Sequence, residues 1–182
     1  MSSPKHAASR LADGYHRLRR SRAARWGLEL AFLLAAVLLV GTWQTRAHLE
    51  RGAAPSVALP TLSGQRVALD SLRGKPVLVG FWAPWCPVCK AASRNLSWVS
   101  RLAGDRARVV TVAAAYQDLD DVRAYVREQG VDLPVLLGDD TVVRAFHVDS
   151  FPTYYFLDAD GRVKRSAAGY TTTLGLLLRL LL

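Results

Sequence analysis

Cysteine is nearly absent from the chain. Two in 182 residues is far too few for a disulfide-stapled miniprotein. There is also no Gly-X-Y period, no Gln/Asn tract and no repeat at 20–50 residues, which removes the fibrous and solenoid classes. Charged residues reach only 21% against 51% apolar, so the chain is not a disordered polyelectrolyte. Its length allows one ordinary domain plus a few tens of residues of something else.

A net charge of +9 resembles a nucleic-acid signal until it is divided along the chain. Residues 1–25 hold seven basic side chains against Asp13 alone, a balance of +6, while residues 26–182 hold 17 basic and 14 acidic, a balance of +3. The excess is local and precedes an apolar run, Leu30–Thr45 (LAFLLAAVLLVGTWQT), which Trp26–Leu28 extends upstream past a single Glu29. As a helix, the stretch from Trp26 to Thr45 is about 30 Å long, the thickness of a bilayer core. Trp26 and Trp43 stand near its two ends, where indole rings favour the membrane interface. The basic cluster keeps its side cytoplasmic by the positive-inside rule, so everything beyond Thr45 is expected to be exported. Signal-peptide cleavage is the main rival reading. The 25-residue leader and the poor site at Ala53-Ala54-Pro55 argue against it. The expected organisation is therefore a cytoplasmic leader (1–25), a transmembrane signal anchor (26–45), a tether (46–55) and a domain (56–182). The basic leader has sufficient cause in the membrane, and no nucleic-acid partner is expected.

Within the domain, strands are expected at Val57–Leu59, Arg66–Leu69, Pro76–Trp82, Arg108–Ala115, Leu133–Leu137, Thr153–Leu157 and Arg162–Ala167. Pro76–Trp82 is apolar throughout, as in a central strand buried on both faces. Helices are expected at Cys86–Ala103, with Ala92, Leu96, Val99 and Leu102 facing the core, and at Asp118–Gln129, Asp139–Phe146 and Thr171–Leu182. Asp158-Ala159-Asp160-Gly161 marks a hairpin. Strands alternating with helices, then a terminal hairpin and helix, imply an α/β fold with a mixed central sheet covered on both faces.

Both cysteines fall in Trp85-Cys86-Pro87-Val88-Cys89-Lys90, directly after the central strand. A helix starting at Cys86 turns free N–H groups and its positive end toward that sulfur, which favours a thiolate. Three residues of separation place Cys89 on the same helical face, and Pro87 suits the first turn. A zinc site wants four ligands, and the domain has no second cysteine pair and only His147 as histidine; no metal is expected. A purely structural disulfide over so short a loop restrains little chain entropy. A dedicated peroxidase would want Thr three residues before its attacking cysteine, where Ala83 stands. Reversible dithiol chemistry is the favoured reading. A redox-inactive, copper-binding module using the same cysteine pair is the alternative, and turnover of a disulfide separates the two.

Phe81–Lys90 (FWAPWCPVCK) resembles the active-site segment of the thioredoxin superfamily. Gly64, Gly74-Lys75-Pro76, Phe151-Pro152-Thr153 and Asp158–Gly161 resemble its membrane-anchored TlpA/ResA branch, and the Cys-Pro-Val-Cys motif behind a Trp-flanked anchor resembles the ScsD-like subgroup. The similarity spans roughly Ser56 to Thr173. It implies a thioredoxin-like three-layer sandwich preceded by one transmembrane helix, in a bacterial inner membrane with the domain in the periplasm. It also implies that Cys86 is the attacking thiol, Cys89 the resolving thiol and redox partner of Cys86, and Pro152 a cis-proline facing them. Phe151 would offer backbone to an extended client chain, Thr153 would open the next strand, and Trp85 would be a surface aromatic beside the sulfur. Trp82 reads as core and Lys90 as a solvated helix residue. No bound cofactor is implied. The partners implied are client proteins with disulfides or thiols and a membrane redox protein that resets the pair. Two departures stand out: Gly80 and Ala92 occupy the positions where thioredoxins and ResA-type reductases, respectively, carry a proton-relaying carboxylate.

Overall fold

The computed structural model describes residues 52–182 and, upstream, Trp26, Gly27, Glu29–Leu33 and Ala35, which are helical. The leader, most of the expected anchor and the start of the tether lie outside the described residues. Among those described, no helix is long and apolar enough to cross a membrane.

The domain is built on β4 (Val77–Trp82), in which all six residues are buried. β4 pairs in parallel with β5 (Arg108–Ala113) and antiparallel with β7 (Thr153–Leu157). β6 (Val135–Leu137) extends the sheet beyond β5, while β8 (Arg162–Ala168) and β1 (Gly52–Ala53) extend it beyond β7, giving the order β1-β8-β7-β4-β5-β6. Asp158 closes the β7–β8 hairpin by accepting the N–H groups of Asp160 and Arg162. A separate hairpin joins β2 (Ala58–Pro60) and β3 (Arg66–Ala68).

Alternation along β4 divides the core. Val77, Val79 and Phe81 face one side with Val110, Val112, Leu136, Phe146 and Tyr155. The cover there comes from the β2–β3 hairpin, a 3-10 turn at Leu69–Leu72 and α3 (Asp140–Ala145). Leu78 faces the other side with Tyr154, Phe156 and residues of α1 (Pro87–Ala103) and α4 (Thr173–Leu181). α2 (Leu119–Gln129) covers the same side near the start of α1, through Val122 and Tyr125. The expected three layers and mixed sheet are present.

Local chemistry sets the element ends. Asp118, Asp139 and Thr172 cap their helices by accepting N–H groups from Asp120, Val142 and Gly175. The sequence pattern alone places each inside or at the first residue of its helix. Gly130 ends α2 in the left-handed region at φ 60°. β5 stops at Ala113, short of the expected Ala115, because the chain turns there with Ala115 at φ 51°.

Two differences bear on packing. Leu102 was expected inside and is 50% exposed, while Ala103 is buried. At 100° per residue, Ala103 returns to the face of Ala92, Leu96 and Val99, and Leu102 swings about 80° away from it. Gly52 and Ala53, expected within the tether, pair with Val163 and Arg162 of β8. That short strand satisfies an edge that would otherwise be open.

Candidate active site

The end of β4 delivers the chain into Ala83-Pro84-Trp85, and the Cys86 N–H bonds the Ala83 carbonyl at 3.1 Å. Cys86 is the N-cap of α1, with Pro87 in the first turn, and its Sγ accepts the Cys89 N–H at 3.1 Å. A cap sulfur therefore does what a serine or aspartate oxygen does at other helix starts. In the reduced protein this contact and the dipole of a 17-residue helix both favour the Cys86 thiolate. Here the two cysteines form a disulfide, with Cα atoms 5.2 Å apart.

The loop before β7 faces this sulfur. The Phe151–Pro152 bond is cis, and the Phe151 carbonyl oxygen lies 3.5 Å from Cys86 Sγ. Thr153 is buried; its hydroxyl donates to the Ser150 carbonyl at 2.8 Å and ties the loop to the start of the strand. Its side chain thus supports the loop and presents nothing to solvent. Trp85 is 64% exposed. Its indole N–H donates to the Ala115 carbonyl at 2.8 Å, and its ring meets Phe151 edge-on at 6.0 Å. Trp85, Phe151 and Cys86 consequently make a small apolar rim with one reactive sulfur. Trp82 lies in the core, stacked on Tyr125 at 4.1 Å, and Lys90 is exposed, both as expected.

Cys89 points inward. It lines a cavity of about 20 Å³ with Ala92, Ser93, Thr111, Tyr125 and Tyr154 among its walls. Burial pushes the Tyr125 and Tyr154 phenols well above the ordinary tyrosine range, so both stay neutral at any working pH. No Asp, Glu or His lines the cavity. Gly80 and Ala92 carry no acid, and no neighbouring element supplies one to these walls.

All six expected site residues therefore gather at one end of the central strands, beyond the C-terminus of β4 and at the start of β7. Sequence reasoning missed Ala115, whose carbonyl aims the Trp85 ring, and Tyr154, which lies across from Gly80 in the β4–β7 register. Neither carries a motif. Both are found only once strand register is known.

Residues 51–166 match the AhpC/TSA family. The thioredoxin-like protein YneN of Bacillus subtilis (strain 168) is 31% identical over 121 residues, 65% of this chain and 71% of that protein. The thiol-disulfide oxidoreductase ResA of the same strain is 28% identical over 125 residues, 68% of this chain and 69% of that protein. Among solved structures, a thiol:disulfide interchange protein of the thioredoxin family from Chlorobium tepidum TLS aligns with a TM-score of 0.64 at 28% identity, covering 72% of this chain and 95% of that one. The sulfur pair thus sits in a fold and a sequence neighbourhood that agree, and the chain belongs to the AhpC/TSA family as a TlpA/ResA-like member of the thioredoxin superfamily.

Proposed function

We propose that this thiol–disulfide oxidoreductase exchanges disulfides with client proteins on the exported side of a bacterial inner membrane, to which residues 26–45 anchor it. One observation carries the chemistry: Cys86 Sγ caps α1 and lies beside the cis-proline loop. The Cys86 thiolate attacks a client disulfide, forming a mixed disulfide and releasing one client sulfur as thiolate. Cys89 then loses its proton and attacks Cys86 Sγ. The Cys86–Cys89 bond forms, the second client sulfur leaves, and the client has gained two electrons. A membrane redox protein returns two electrons and two protons to the pair. Run backwards, the same steps oxidise a client dithiol. The direction depends on the potential, which Pro87-Val88 tunes over a span of about 150 mV among such folds.

Ala83, whose backbone holds Cys86, has no hydroxyl to offer a peroxide, which supports disulfide exchange over peroxidase chemistry. Reduced protein mixed with a peptide containing one disulfide should consume it in a one-to-one ratio. Cys86→Ser should consume none, and equal consumption by that variant would refute the assignment.

Client contact rests on the exposed rim. Trp85→Ala removes a large aromatic from its centre and should weaken client capture by about 2 kcal/mol, roughly 30-fold. Its stability cost should stay near 1 kcal/mol, because one half-exposed hydrogen bond is lost. Exchange rates at sub-saturating client and a urea melt check the pair of values.

The membrane placement is supported by the +6 leader in front of an uncharged apolar run. A reporter fused after Leu182 should be active only outside the cytoplasm, in a membrane-bound protein that retains residues 1–25. A soluble species beginning near Ala54 would overturn the anchor.

A further inference from the structure

Resolution requires Cys89 to give up a proton inside an apolar cluster, and no carboxylate lines the space behind it. The register places Tyr154 directly across from Gly80. A Cβ at Gly80 would meet Leu96 Cδ1 at 3.2 Å and Tyr154 Cδ1 at 3.5 Å. The room an acid would need at position 80 is thus limited first by Leu96 of α1, with Tyr154 of the neighbouring strand in van der Waals contact beside it. That tyrosine is fully buried, and its hydroxyl has no hydrogen-bond partner in the protein. A buried hydroxyl of this kind costs free energy, so its retention calls for an explanation. Tyr154 and Cys89 line the same cavity, together with the hydroxyl-bearing Ser93, Thr111 and Tyr125. At about 20 Å³ the cavity exceeds the roughly 10–15 Å³ that one water requires; its walls are mainly apolar, and these hydroxyl-bearing residues are its polar members.

We propose that Tyr154 is the positioning residue for the resolving thiol: its hydroxyl holds one water in the cavity, and through that water it stabilises the Cys89 thiolate. The proton passes from Cys89 Sγ to this water and out to solvent or to the departing client sulfur. The electron pair left on Cys89 makes the new bond to Cys86. Tyr154 itself neither gains nor loses a proton overall, consistent with a phenol that burial keeps neutral. The ionisable groups around Cys89 are Cys86 and the solvent-facing Lys90 on its own segment, Tyr125 from α2, Tyr154 from β7 and Tyr116 after β5. The tyrosines do not titrate near neutrality, so the pH profile of resolution reports Cys89 itself.

The inference rests on the proposed resolving role of Cys89, and the test separates the two. In the full-length protein, Cys86 is loaded with thionitrobenzoate as a mixed disulfide, and release of the coloured thiol is followed from pH 6 to 9.5. The wild-type rate should climb to a plateau. Loss of one hydrogen bond to a charged group displaces a pKa by about one unit. Tyr154→Phe should therefore shift the profile upward by about that much, running roughly tenfold slower at pH 7 and converging on the wild-type plateau, with no loss of melting temperature. Ala92→Val, which fills the cavity and spares the hydroxyl, should give the same displacement. Profiles that coincide with wild type, or that fall by one constant factor at every pH, would overturn the role of Tyr154. If Cys89→Ser releases the coloured thiol as fast as wild type, Cys89 is not the resolving thiol, and this inference fails along with that assignment.

Discussion

Cys89→Ser should turn the protein into a trap for its clients, and Cys86→Ser should not. Cys86 sits at the helix cap, where the Cys89 N–H and the helix dipole stabilise a thiolate, and it borders the exposed Trp85 and Val88. Client attack therefore proceeds without Cys89. The mixed disulfide then has no internal thiol to open it. Its lifetime should lengthen to the minutes-to-hours scale of uncatalysed disulfide rearrangement. In Cys86→Ser the remaining thiol is buried against the inner cavity with Ala92 and Tyr125, where clients have no approach. Non-reducing electrophoresis after acid quenching reads the adducts directly. Equal trapping by the two variants would contradict the division of roles.

Phe81→Ala should be among the most damaging changes to the fold. Phe81 is fully buried in the central strand, with its ring 5.1 Å from Phe146 and 6.0 Å from Tyr155. Tyr155 in turn donates to the Phe146 carbonyl, so the ring holds together β4, β7 and the end of α3. Truncating a core phenylalanine costs about 3–5 kcal/mol. For a domain of this size that lowers the melting temperature by roughly 10–20 °C. The contrast with Trp85→Ala is diagnostic, since one aromatic acts in the core and the other at the rim. A urea-derived loss under about 1 kcal/mol for Phe81→Ala would mean that the aromatic cluster does not carry the sheet.

Much of this was legible in the sequence wherever one residue type has one physical use. An apolar run of strand length, two cysteines three apart after it, a proline in the first helical turn and the Asp158–Gly161 hairpin each restrict the chain locally. Phe151-Pro152 was readable only through family resemblance, because nothing in those two residues alone selects a cis bond. Illegible were the features that depend on register. The pairing of Gly80 with Tyr154 sets the tyrosine on the strand next to β4, where it shares a cavity with Cys89, and the close approach of Trp85 to Ala115 joins positions 30 residues apart. Leu102 and Ala103 exchanged places because a one-residue step on a helix is a 100° turn. Gly52 and Ala53 read as tether because two residues carry no periodicity; only the unpaired edge of β8 gives them a strand conformation.

Restoring the absent acid at position 92 would carry a packing cost. Ala92 is buried against the same small cavity as Cys89, so a glutamate there would exceed the available volume and strain α1 against the sheet.

The central claim is that Cys86–Cys89 is a working redox pair, distinct from a structural crosslink and from a metal clip. Its reduction potential tests this most directly. The protein is equilibrated in graded glutathione buffers, quenched by acid and alkylated, and the oxidised fraction is counted by mass. The account predicts one two-electron transition between about −120 and −270 mV, the range of disulfide-exchanging folds of this kind. A pair that stays oxidised below about −300 mV, as structural disulfides of secreted proteins do, would contradict it.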